Sequence, residues 1–156
     1  MRYIPVLIGF LFVALAGCGG DSSGDDISDV SGTWAVQFGI LGQDDCGLLS
    51  ADLPGFIDRH TLVEDHGVVT FNSQNGFIAE TQAPLNADHS FQVTEEAVGV
   101  PFGDGVECQI SSSIGYTFIN EEEANVTLFR GLNCADGFTC QSRAVGTATL
   151  EPVSLG

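Results

Sequence analysis

"ECQISSSIGYTF", residues 107–118, sets how the rest of the chain is read. Cys108, Ile110, Ser112, Ile114, Tyr116 and Phe118 fall on one face of an extended segment, opposite Glu107, Gln109, Ser111, Ser113 and Thr117. A period of two is that of a β-strand with one packed face and one wet face. The period recurs throughout. "GTWAVQFGIL" (32–41) puts Trp34, Val36, Phe38 and Ile40 together. Residues 57–81 read as strand, turn at Asp65-His66-Gly67, strand, turn at Asn75-Gly76, strand, Asn-Gly between apolar runs being a strong hairpin signal. "SFQVTEE" (90–96) follows a turn at Asn86 to His89, and "ANVTLFR" (124–130) and "TCQSRAVGTATL" (139–150) complete the set. No window has helical periodicity.

This pattern predicts an all-β fold of about eight antiparallel strands joined mostly by short turns. Closing such a meander into an up-and-down β-barrel removes the unpaired edges that invite aggregation. A two-sheet β-sandwich is the alternative.

The chain carries 4 Lys+Arg against 21 Asp+Glu, a net charge of −17, and no lysine. That surface repels phosphate backbones, which argues against a nucleic-acid partner. Met1-Arg2 followed by the apolar run Tyr3 to Ala16 has the form of a secretory signal. The run is shorter than the ~20 residues of a spanning helix. Leu15-Ala16-Gly17-Cys18 resembles the lipobox of bacterial lipoproteins. The resemblance implies cleavage before Cys18 and acylation of that cysteine by palmitate-type chains. With Gly19 next, it implies lipid anchoring at the outer membrane, with the domain facing the periplasm or the cell surface. The expected organisation is a signal peptide at 1–17, an acidic flexible tether at 18–30 and the barrel at 31–156.

The four other cysteines, Cys46, Cys108, Cys134 and Cys140, form an even set in an exported chain and predict two disulfides. Zinc would require close pairs such as C-x₂-C, which are absent. Loops of a meander alternate between the barrel ends, so all four cysteines are expected at one end, the top, opposite the tether. Each of the three pairings is compatible with that placement; Cys134–Cys140 with Cys46–Cys108 is preferred.

Gly32-Thr33-Trp34 at the start of the first strand resembles the G-x-W motif of lipocalins and their lipocalin-like relatives. The T-D-Y motif of true lipocalins is missing, so the resemblance is to a lipocalin-like barrel over roughly Ser31 to Val153. It implies that Trp34 plugs the bottom and that a ligand enters at the other end.

Arg59, Arg130 and Arg143 map near the top. Arg59 is in phase with Ile57 and Val63, and Arg130 with Val126 and Leu128, so both are expected to point inward. A guanidinium pair at a cavity mouth would bind an anionic headgroup above an apolar pocket walled by Tyr116 and Phe118. The plainer reading has the arginines balancing Asp44, Asp45, Asp58, Asp104 and Asp136.

Enzyme signatures are absent. There is no G-x-S-x-G elbow, H-E-x-x-H helix or phosphate-cradling glycine loop. Asp65-His66 and Asp88-His89 read as turns rather than metal ligands, and no cofactor is expected. Two functions follow as expectations. One is a lipid-anchored envelope protein that binds a small apolar or amphiphilic ligand inside its barrel. The alternative is a protein-interaction or inhibitor module whose acidic surface binds a cationic envelope protein.

Overall fold

A computed structural model describes residues 27, 29–47, 49, 57–75 and 78–152. Cys18, the signal region and the lipobox lie outside the described residues. The fold is all β: β1 (Gly32–Asp44), β2 (Ile57–Asp65), β3 (Val68–Ser73), β4 (Thr81–Pro84), β5 (Ser90–Phe102), β6 (Val106–Phe118), β7 (Glu123–Cys134) and β8 (Thr139–Leu150). The strands make one antiparallel sheet in the order β4-β3-β2-β1-β8-β7-β6-β5. Pairing of β1 with β8 wraps this meander into a barrel, and β4 packs beside β5 without ladder bonds, leaving one unsealed seam. The architecture is the predicted up-and-down, lipocalin-like barrel, not the sandwich.

Local chemistry explains the turns. His66 (φ 53°) and Gly67 (φ 79°) both occupy the left-handed region between β2 and β3. A two-residue hairpin with positive φ at both positions matches the twist of its flanking strands. The connection after β3 differs from expectation. Asn75 lies in a turn and its side chain donates to Asp58, while Gly76 lies outside the described residues. The next strand begins only at Thr81, after Ile78 has entered the core.

Two register shifts interrupt β1, between Phe38 and Ile40 and between Leu41 and Gln43. A β-bulge adds one residue to one strand and so reverses which face the following side chains take. Ile40, expected inside, is therefore 62 % exposed, and Leu41 packs on the core in its place.

The lower barrel is filled by Trp34, Val36, Phe38, Leu62, Phe71, Phe91, Ile114, Tyr116 and Leu128, all buried. Trp34, near the start of β1, is fully buried, with Phe118 edge-on at 5.3 Å and its Nε1–H donating to the Val30 carbonyl at 3.0 Å. Ile27 and Val30, in the segment read as tether, are buried in this core. Gly146 on β8 leaves no void: a Cβ there would lie 2.3 Å from the Gln37 carbonyl oxygen. Its missing side chain lets β1 approach at the bulge.

Candidate functional site

Parity of the meander places the four cysteines at the top, and all four are oxidised. The pairing is Cys46–Cys140 and Cys108–Cys134, which corrects the preferred assignment. Cys108 and Cys134 stand directly opposite on β6 and β7, whereas Cys140 faces the end of β1. Cys134 and Cys140 are offset by the register that pairs Asn133 with Thr139 and Leu132 with Cys140. The bridges thus staple the upper ends of β1, β8, β7 and β6.

Above the main core these bridges organise a second apolar cluster, with Cys108, Leu132 and Cys134 buried and Phe102, Val106 and Ile110 against them. Phe102 ends β5, and Phe138 lies in the β7–β8 turn. Their rings stack with centroids 6.4 Å apart, and Phe138 remains 46 % exposed. Asp45, Asp104, Glu107 and Asp136, which follow β1, join β5 to β6, begin β6 and lie in the β7–β8 turn, are exposed at the same end. The turn is held by Asp136, whose Oδ1 accepts from the Phe138 N–H at 2.9 Å, and by the Cys134 N–H donating to the Phe138 carbonyl. The result is a disulfide-stapled tip that carries an aromatic pair and exposed carboxylates.

Between the two apolar clusters runs a polar layer. Ser112, Arg130 and Ser142 are register partners across β6, β7 and β8, and Asp44 of β1 faces Ser142 and accepts its hydroxyl. Arg130 points inward as expected and is half-buried, and this burial lowers its pKa from the ordinary arginine value. Arg59 does not join it. Asp58, His60 and Leu62 form the inward face of β2, so Arg59 faces outward and pairs with Glu151 at 2.8 Å. The two guanidiniums do not form a joint mouth.

Sequence reasoning missed what takes the inward positions of β2. Asp58 and His60 have no solvent exposure. Asp58 Oδ2 accepts from Ser73 Oγ at 2.8 Å and lies 3.0 Å from His60 Nε2. Its Oδ1 accepts from Asn75 Nδ2 at 2.6 Å and from the Arg59 N–H at 2.7 Å. His60 Nδ1 lies 2.6 Å from the Tyr116 hydroxyl. A single tautomer satisfies the whole chain, with Tyr116 O–H donating to Nδ1 and Nε2–H donating to Asp58. Burial by itself raises the Asp58 pKa, but the hydrogen bonds from His60, Ser73 and Asn75 outweigh that and hold it below the usual carboxylate value. Tyr116 is pushed well above the ordinary phenol range, first by burial and then by the Asp58 charge.

Asp58, His60 and Tyr116 of this network are fully buried, while Asn75 reaches it from the exposed end of β3. Phe91 stacks on Tyr116 at 5.0 Å, and Phe71 packs edge-on against His60 at 4.8 Å. The hydrogen bonds give the polar atoms enclosed there their partners. Tyr116 and Phe118, expected to wall a ligand pocket, instead pack against one another and their aromatic neighbours. Depressions of about 420–520 Å³ lie on the outer face of the sheet. No group of three or more metal-ligating side chains occurs among the described residues.

Comparison of the chain with protein-family models, with curated proteins and with solved structures gives no match.

Proposed function

We propose that this is a lipid-anchored envelope protein whose disulfide-stapled acidic tip docks a cationic protein. The observation that carries the reading is the tip itself. A stacked aromatic pair with one exposed ring, Phe138, beside two disulfides and at the same end as four exposed carboxylates, has the make-up of an interface anchor. Aromatic burial supplies the affinity of such a contact, and the carboxylates steer a basic partner and fix its orientation. A tether entering at the bottom would hold the tip away from the membrane. Disulfides at the tip fit an oxidising compartment. A lysozyme, a cationic enzyme that acts on the envelope, is the probe of choice. Phe138→Ser should abolish its binding without lowering the melting temperature, because Phe138 is a half-exposed turn residue. Retained binding would point to another surface.

A second reading, an amphiphile bound within the upper barrel, rests on Arg130, whose guanidinium lies half-buried between the two apolar clusters. Native mass spectrometry without reductant separates the two. A mass above that of the chain, lost on denaturation, would support an enclosed ligand; a mass equal to that of the chain would leave the tip as the binding element.

A further inference from the structure

The outer face of β6, β7, β8 and β1 carries a feature unrelated to the tip. A depression of about 420 Å³ lies there and reaches Gln92 of β5, with Phe129 the one aromatic residue that lines it. In a chain with 21 acidic residues, none of the eight residues that line it is acidic, nor is any of the nine lining the adjoining depression of about 500 Å³. Its perimeter consists of amides and hydroxyls, chiefly Gln43, Gln92, Gln141 and Thr127, together with Arg143. Arg143 is the register partner of Phe129 and forms no ion pair among the described residues.

The Phe129 ring lies down along β7. A Cβ at Gly131 would sit 3.2 Å from Phe129 Cε1 and 3.4 Å from Cζ, so the ring leans over the glycine, and it is partly exposed on the outer face. Any larger residue at position 131 would lift it.

We propose that this face binds a saccharide chain, with one pyranose ring stacked on Phe129. The C–H face of a pyranose complements an aromatic ring, as does other apolar surface. Sugar hydroxyls both donate and accept, which primary amides and threonine hydroxyls match and carboxylates, limited to accepting, do not. Strands about 4.8 Å apart offer these groups at a spacing close to one sugar unit. Arg143 beside the ring takes a pair of hydroxyls, or the carboxylate of an acidic sugar, in its planar fork.

The test titrates cellohexaose, chitohexaose and hexagalacturonate into the ¹⁵N-labelled full-length chain. Saturable shifts of the Gln43, Gln92 and Gln141 side-chain amides are expected with at least one probe. Phe129→Ala should weaken that binding about tenfold, with Trp34 fluorescence reporting an unchanged fold. Gly131→Val, which retains the ring but lifts it, should weaken binding as well, so the outcome does not depend on one variant folding. No saturable shift with any of the three saccharides, or shifts of equal affinity in both variants, would overturn the proposal.

Discussion

Asp58 sits in the barrel interior with four hydrogen-bond partners, and its removal would leave His60, Ser73 and Asn75 facing an apolar void. Asp58→Ala is expected to cost about 3 kcal/mol, because buried donors left without an acceptor cost about 1–3 kcal/mol each, read as a lower midpoint in urea. The pH dependence has a definite sign. A carboxylate whose folded pKa is depressed contributes stability above its unfolded value, near 3.9, and loses that contribution as pH falls through the folded value. Acid unfolding should therefore steepen below about pH 4, and Asp58→Asn should flatten that limb. Tyr116, with a raised pKa, gives the opposite case. Its contribution is complete below about pH 10 and is lost as pH rises. Phenolate absorbance from Tyr116 should thus appear only together with the change in Trp34 fluorescence that marks unfolding. The sequence concealed this cluster for a physical reason. On β2 the apolar residues Ile57 and Val63 are 52 % and 53 % exposed, while the aspartate and histidine point inward. Hydrophobic phase alone put Arg59 inside, since a fully satisfied polar network carries no hydrophobic signal. The alternating Asp-x-His-x-Leu was its only trace.

Strands were the most legible level. The deciding stretch at 107–118 lies within β6, and β8 spans the residues that alternation assigned to it. Both gain from being long strands paired on two sides. Bulges were not legible, because the extra residue at Gly39 or Gly42 is set by the register with β8, and the alternation Trp34, Val36, Phe38, Ile40 runs on through it in the sequence. Gly146→Ala tests that local fit. Its Cβ would meet backbone atoms of Gln37 and Phe38 closer than 3.0 Å, and overpacking against backbone costs about 1–3 kcal/mol. A melting temperature equal to that of the parent would show that β1 and β8 are not in this register. At the β2–β3 turn the sign reverses. His66 holds φ 53°, which asparagine tolerates better, so His66→Asn should raise stability by about 0.5 kcal/mol. The disulfide end was legible from strand parity, but the pairing was not. Parity says which end a cysteine occupies, and only the register places Cys108 opposite Cys134.

Among the described residues, exposed acids stand at the tip (Asp45, Asp104, Glu107, Asp136), at the bottom turns (Asp65, Asp88, Glu121, Glu122, Glu123) and along the wall at Glu80, Glu95 and Glu96, while none lines the depression beside Phe129. Composition announced the acidity, and only the folded chain shows that four of these carboxylates share the disulfide end. A tip that docks through opposite charge must respond to salt, since screening at about 0.5 M reduces the range of exposed charges to a few ångströms. Contact inside the barrel would respond far less. The most direct measurement is a calorimetric titration of lysozyme into the full-length protein at low and high salt, repeated with the Asp104→Asn, Glu107→Gln, Asp136→Asn triple variant. The account predicts binding at low salt that weakens at least tenfold at high salt and is lost in the triple variant. Binding that is indifferent to salt and retained by the variant, or no binding at low salt, would contradict it.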